Sequence, residues 1–315
     1  MSRAQGKILV IRGGAIGDFI LTLPVFAALR GQFPQAHLEV LGYPHIAQLA
    51  VAGGLVDRVQ SIEARALAGF FARAGALNPQ FCEYFAGFAV VISYLYDPDE
   101  ILRANFNRCS KAHFIAGPHR PDERSELHAT EVFLKPLERL AIFSADPVPR
   151  LRTVAGDRAP GGSPQAAEQV RLAMHPGSGS ETKNWPEDRW AELIQCLVAR
   201  TEWTFLIVGG EAETDRVERL ARLLPAERGA AVRSLSLVEL ATRLGQCDLF
   251  IGHDSGISHL AAALGLRGVA LWAETNPAIW RPRSDRVTVL RCKEGLTHLE
   301  LEPVFSALVD KVVHS

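Results

Sequence analysis

Almost no net charge separates the basic from the acidic residues of this chain: 34 Lys and Arg against 35 Asp and Glu leave a formal −1. Binding nucleic acid without regard to sequence needs a basic face, so that class of function is excluded. Cysteine is scarce and unpatterned. The five, Cys82, Cys109, Cys196, Cys247 and Cys292, form no C-x-x-C pair, which predicts free thiols in a reducing, cytoplasmic compartment. Long apolar runs are missing too. Only Arg3 and Lys7 precede the first short one, which gives neither a secretory h-region nor a spanning helix. Membrane contact is therefore expected to be peripheral. Short-period repeats and low-complexity tracts are also lacking. With 315 residues and 48% hydrophobic content, the chain can build two domains with full cores and no disulfide support.

What is there is a strand, a turn of glycine and small polar residues, and a helix, occurring three times. An apolar run at 247–251 leads into His253-Asp254-Ser255-Gly256-Ile257-Ser258-His259-Leu260-Ala261-Ala262-Ala263-Leu264. The strand is expected to break at Gly252, with Asp254 or Ser255 capping the helix. Its first N–H groups, at Ser255, Gly256 and Ile257, and the positive end of its dipole suit a phosphate or diphosphate. Near the start, Lys7-Ile8-Leu9-Val10-Ile11 precedes Arg12-Gly13-Gly14-Ala15-Ile16-Gly17-Asp18 and a helix over 19–30. The second half restarts with a strand at 170–174 and the turn His175-Pro176-Gly177-Ser178-Gly179-Ser180. Lys183-Asn184-Trp185-Pro186 follows, then a helix carrying Trp190, Leu193, Ile194 and Leu197.

Strand-like runs at 38–41, 89–94 and 113–116 alternate with helical stretches, giving the first half a β-α-β rhythm and hence a parallel sheet. A long amphipathic helix over 128–143 ends that half. Strands at 204–208, 231–235, 248–252 and 268–272 continue the rhythm, between helices at 213–224, 237–244 and from Ser255. The expected fold is α/β, with an N-terminal domain at 1–155, a linker at 156–169 and a C-terminal domain at 170–315. Ligands should sit at the carboxyl ends of the strands. The last helix, 300–313, is expected to fold back on the first domain.

With these residues in view the chain resembles glycosyltransferase family 9, the bacterial heptosyltransferases. Residues 12–24 look like the family's opening motif, His175-Pro176-Gly177-Ser178 with Lys183-Asn184-Trp185-Pro186 like its central one, and 252–264 like its third. The resemblance implies a GT-B fold of two Rossmann-like domains facing across a cleft, the acceptor on the first and the nucleotide-sugar on the second. It also implies inverting transfer from ADP-heptose to a lipopolysaccharide core-type or other glycan or glycolipid acceptor, by a monomer without a cofactor. One segment departs from the pattern: Ala273-Glu274-Thr275-Asn276-Pro277 stands where a Gly-Pro-Thr-Asp-Pro-like segment is usual, which leaves the donor sugar open.

Inverting transfer needs a carboxylate to take the acceptor's proton and a clamp for the leaving diphosphate. Asp18, at a helix start, either caps that helix or is the base, and the resemblance favours the base, with Gly14 and Gly17 beside the acceptor. Lys183, in a polar turn, is the candidate clamp. Ser178, Gly179, Ser255 and Gly256 can add donors around the same phosphates, and Asp254 can orient the loop or hold a sugar hydroxyl. The resemblance puts Glu213 at the nucleoside, with Glu211 a near rival, and puts Ser236 and Leu237 at the base.

Other patterns point less clearly. Asp97-Pro98-Asp99 matches the D-x-D of metal-dependent transferases, but the proline and the following helix suit a cap, and no metal site is expected. His253, Asp254 and His259 lack a fourth ligand at suitable spacing. The aromatic stretch through Phe70, Phe71, Phe81 and Phe88 fits core packing or contact with lipid. Arg65, Arg73, Arg103, Arg108, Lys111, Arg120 and Arg124 give the first domain a basic tendency that suits an anionic acceptor or a solvated face. A nicotinamide dehydrogenase fails on spacing, because Arg12 takes the first glycine position of G-x-G-x-x-G. A transferase with another nucleotide-sugar, a nucleotide-sugar 2-epimerase and a non-catalytic nucleotide-sugar binder remain as alternatives.

Overall fold

Ile8-Leu9-Val10-Ile11 and Leu249-Phe250-Ile251 are apolar on both faces and almost wholly buried, as strands of a parallel sheet covered on both sides must be. The computed structural model describes residues 6–152 and 169–313. The expected linker at 156–169 lies outside the described residues except for Gln169. The chain forms two units divided between Pro147 and Val148.

The first unit runs β1 (Lys7–Arg12), α1 (Ile16–Ile20), α2 (Leu23–Gln32), β2 (His37–Gly42), α3 (Pro44–Ala52) and β3 (Arg58–Ser61). It continues with α4 (Pro79–Ala86), β4 (Val90–Ser93), α5 (Ile101–Asn107), β5 (His113–Ala116) and α6 (Ala129–Leu134). All pairings are parallel, in the order β3-β2-β1-β4-β5. Strand order reverses between β1 and β4, so the turns after these two strands border the crevice where such sheets hold ligands.

The second unit runs β6 (Arg171–His175), α7 (Glu187–Arg200), β7 (Thr204–Gly209), α8 (Thr214–Ala221), β8 (Gly229–Arg233) and α9 (Leu237–Leu244). After these come β9 (Leu249–His253), α10 (Gly256–Ala263), β10 (Arg267–Trp272), α11 (Pro277–Trp280), β11 (Val287–Arg291) and α12 (Leu301–Val313). Its parallel order is β11-β10-β9-β6-β7-β8, with the reversal between β9 and β6. The second and third sequence motifs follow these two strands. Trp185, Trp190, Leu193, Ile194 and Leu197 fill the core beside them.

Several elements differ from the sequence reading for identifiable reasons. The helix expected over 19–30 is two helices, because Pro24 has no N–H to continue the ladder and the Thr22 hydroxyl bonds the Asp18 carbonyl at 2.8 Å. Pro136 acts similarly on the long helix expected over 128–143, which is α6 followed by a 3-10 turn at Lys135–Leu140. β9 does not break at Gly252 but continues to His253. A Cβ at Gly252 would lie 2.7 Å from the Phe250 ring, so this glycine serves close packing within the strand. Val304 and Leu308 of α12 are completely buried in the second core. The edge strands β3 and β11, half-buried and weakly patterned, have no counterpart in the sequence reading.

Candidate active site

In the first unit the chain leaves β1 through Gly14, whose φ of +97° only glycine adopts readily. A Cβ there would also stand 2.9 Å from Asp18 Oδ2. Asp18, one turn into α1, accepts the Ala15 N–H on Oδ2 at 3.1 Å, so it does support the helix start. Its other oxygen faces Arg12 Nη2 at 3.5 Å. Gly17 lies beside it within α1.

Arg12, to which the sequence reading gave no role, organises this corner. Its side chain is 2% exposed and lies 4.5 Å over the Phe133 ring, while Nη1 donates to the His119 carbonyl at 3.0 Å and Nη2 to the Asp18 carbonyl at 3.2 Å. Burial draws the guanidinium below its ordinary pKa and the Asp18 charge opposes that. Tyr96, in the turn after β4, and His119, in the turn after β5, stand with ring centroids 4.7 Å apart over a cavity of about 200 Å3 that Arg103 and Glu100 also line.

Asp97 is a cap. Its oxygens accept the Leu102 and Arg103 amides, both at 3.1 Å, and Asp99 pairs with Arg73. Acidic neighbours also hold Arg103, Arg120 and Arg124, so much of the basic tendency is neutralised locally. Phe70, Phe85 and Phe88 belong to the first core, while Phe71 is exposed.

The second unit gathers three segments at the β6/β9 reversal. Lys183, in the loop after β6, puts Nζ 2.6 Å from Asp254 Oδ2, and the Thr275 hydroxyl donates to the same oxygen at 2.5 Å. Thr275, another residue without an assigned role, comes from the segment that departs from the family pattern. Lys183 is 39% exposed and Asp254 13%, so the ammonium is reachable while its carboxylate partner is tucked beneath. Ser255, rather than Asp254, caps α10, accepting the Ser258 amide at 3.4 Å. Gly256 and Ile257 then open the helix with N–H groups that have no intrahelical acceptor.

Around Lys183, the Ser178 hydroxyl bonds Asn184 at 2.7 Å and Gly179 turns with φ +74°. Trp185 is fully buried and its indole N–H donates to the Leu299 carbonyl. Glu213 caps its own turn through the Gly210 amide at 2.9 Å and packs on Gly177, where a Cβ would lie 2.3 Å from Glu213 Cγ. It thus flanks the same loop. Among the described residues Ser236 makes no hydrogen bond to this group: its hydroxyl and amide form a capping box with Glu239 ahead of Leu237.

His253 and His175 lie beneath the loops. Burial pushes His253 down to about 4, and burial with the neighbouring His253 pushes His175 down to about 3. Both imidazoles are neutral in the folded protein at pH 7, whereas in the unfolded chain they titrate near 6.5. Below that value the unfolded state binds protons that the native state refuses, so stability falls as pH drops from about 6.5 toward 4, by up to about 1.4 kcal/mol per pH unit for each histidine. The melting temperature is expected to fall between pH 6.5 and 5, less steeply in His175→Asn. Equal slopes for the two proteins would contradict this assignment.

Comparison with known proteins agrees with the fold. The model of glycosyltransferase family 9 (heptosyltransferase) matches residues 131–302. Lipopolysaccharide heptosyltransferase 2 of Salmonella typhimurium is 22% identical, over 92% of this chain and 89% of that protein. A glycosyl transferase family 9 structure from Veillonella parvula superposes with a TM-score of 0.78 at 19% identity, covering 100% of this chain and 99% of that one. The E. coli ADP-heptose lps heptosyltransferase II gives 0.76 at 18% identity, over 98% and 99%. At such identities the two structures speak for the fold alone.

Proposed function

The chain belongs to glycosyltransferase family 9, and from that premise we propose that it moves a heptose from ADP-heptose to a lipopolysaccharide core-type acceptor with inversion at the anomeric carbon. The observation that carries the reading is the meeting of Lys183, Asp254 and Thr275 beside the open start of α10, at the switch point of the second sheet. A diphosphate there finds an ammonium, backbone N–H groups and a helix dipole, all of which stabilise the charge that grows as the glycosidic bond breaks.

In this mechanism Asp18 takes the proton from the acceptor hydroxyl, whose oxygen attacks the anomeric carbon as ADP departs. Arg12 and the Ala15 amide hold the carboxylate in place. Lys183, with Ser178, Gly179 and the amides of Gly256 and Ile257, receives the diphosphate, and Asp254 keeps the ammonium aimed until the donor arrives. Glu213 meets the nucleoside, and the Ser236–Leu237 segment meets the base through the Leu237 N–H, which the capping box does not engage. Gly14 and Gly17 border the acceptor. Substrate supply by nucleotide-sugar places the work in the cytoplasm, with a glycolipid acceptor presented at the membrane. Among the described residues no helix is long and apolar enough to cross it.

The donor is tested by thermal shift. ADP is expected to stabilise the protein more than UDP or GDP, and ADP-heptose more again, because a ligand at a hundredfold excess over its dissociation constant adds about 2.7 kcal/mol. Larger shifts with UDP or GDP would retain a glycosyltransferase and reject ADP-heptose. The segment holding Thr275 gives that second outcome a structural basis, since it lies against the Lys183 partner.

A further inference from the structure

His253 is completely buried at the end of β9, and its two ring nitrogens reach main-chain groups at opposite ends of segment 177–185. Nδ1 lies 3.1 Å from the Gly177 carbonyl, and Nε2 accepts the Trp185 N–H at 2.8 Å. A carbonyl only accepts and an amide N–H only donates. One tautomer satisfies both, with the proton on Nδ1. The segment it spans carries Ser178, Gly179 and Lys183. We propose that His253 is a positioning residue for Lys183, a staple that fixes both ends of the phosphate loop so that the ammonium stays over the Asp254 oxygen and meets the donor diphosphate.

The supports around the loop explain why a staple matters. Arg216 holds the loop's approach from one side, donating to the Pro176 carbonyl at 3.2 Å and to Glu181 at 2.8 Å. Trp185 anchors the far end in the core. Between them the chain takes a left-handed turn at Gly179 and a single 3-10 turn at Glu181–Lys183, neither of which resists stretching. Among the described residues His253 alone hydrogen-bonds both ends, and β9 also delivers Asp254 as the next residue. The atom that holds Lys183 and the ring that sets its loop therefore move as one rigid strand end. The Ser258 hydroxyl bonds the His253 carbonyl at 2.5 Å, which ties the same strand end to α10.

The inference rests on Lys183 as the phosphate clamp, and the test separates the two ideas. Calorimetric titration of His253→Leu and His253→Asn with ADP and with adenosine reads the loop directly. Both variants are expected to bind ADP about tenfold more weakly, the scale of one lost buried hydrogen bond, with adenosine changed less than about twofold. Asn keeps a polar group in the site, so it carries the comparison if the Leu protein does not fold. In a Lys183→Ala background the same substitutions should cost at most about twofold in ADP affinity, because the main group they position is gone. A lowered melting temperature with wild-type ADP affinity would make His253 a core residue only and overturn the proposal, as would an undiminished loss in the Lys183→Ala background. ADP affinity unaffected by Lys183→Ala itself would instead remove the clamp on which the inference stands.

Discussion

Asp18→Asn is expected to lower sugar transfer by about 100-fold or more while ADP affinity stays at the wild-type value. The amide is nearly the same size, and its oxygen can still accept the Ala15 N–H that Asp18 Oδ2 holds at 3.1 Å. What disappears is the capacity to accept a proton from the acceptor hydroxyl. The Arg12 guanidinium also loses the carboxylate 3.5 Å away, and as a buried cation it makes the variant somewhat less stable. Activity should therefore be compared well below the melting temperature of the variant. Initial rates at saturating donor, beside an ADP titration, decide the matter: an asparagine protein that keeps most of its turnover removes Asp18 from the chemistry. The proposed role of Asp18 is toward the acceptor hydroxyl and not the nucleotide, which is why ADP affinity should not register the change.

Lys183→Ala should weaken ADP binding by about 10- to 100-fold, the range of a charge-assisted hydrogen bond, and lower turnover further because leaving-group charge is greatest in the transition state. The structure adds a second cause. Lys183 neutralises Asp254 at 2.6 Å, and its removal leaves that largely buried carboxylate with, among the described residues, the Thr275 hydroxyl as its remaining hydrogen-bond partner, at the place proposed for the diphosphate. Repulsion then adds to the lost attraction. The double variant Lys183→Ala, Asp254→Asn is accordingly expected to regain part of the ADP affinity, while binding of AMP, with its smaller charge, changes less throughout. A double variant no better than Lys183→Ala would deny the repulsive part.

The three glycine-bearing turns and the strands feeding them were legible in the sequence because strand, turn and helix start are local patterns. The partners of those turns were not. Arg12 reads as a departure from a nucleotide fingerprint until Phe133 and the His119 carbonyl, 107 residues away, are folded against it. His253 reads as an accessory to the helix that follows it, since its contacts with Gly177 and Trp185 lie in another segment of the chain. Thr275 sits in the stretch that departs from the family pattern, and only the pairing of β9 with β10 brings it to Asp254. Helices over 19–30 and 128–143 failed for the opposite reason. Their hydrophobic periodicity is genuine, but one proline in each outweighs it locally.

The order β11-β10-β9-β6-β7-β8 has a consequence for how the molecule is made. β6 emerges first from the ribosome and can pair with β7 at once, yet its other edge waits for β9, with Ala173 finally opposite Phe250 and His175 opposite Gly252. Through that interval a nascent chain carries an unpaired strand edge whose middle, Leu172-Ala173-Met174, is apolar, the kind of surface that chaperones cover and that neighbouring polysomal chains can pair with. The loop that carries Lys183 is synthesised long before Asp254 and His253 exist to hold it. Truncation ahead of β9 should therefore yield an aggregating fragment with no affinity for nucleotide, and synonymous codon changes that slow translation between β8 and β9 should lower the soluble yield without altering the finished enzyme.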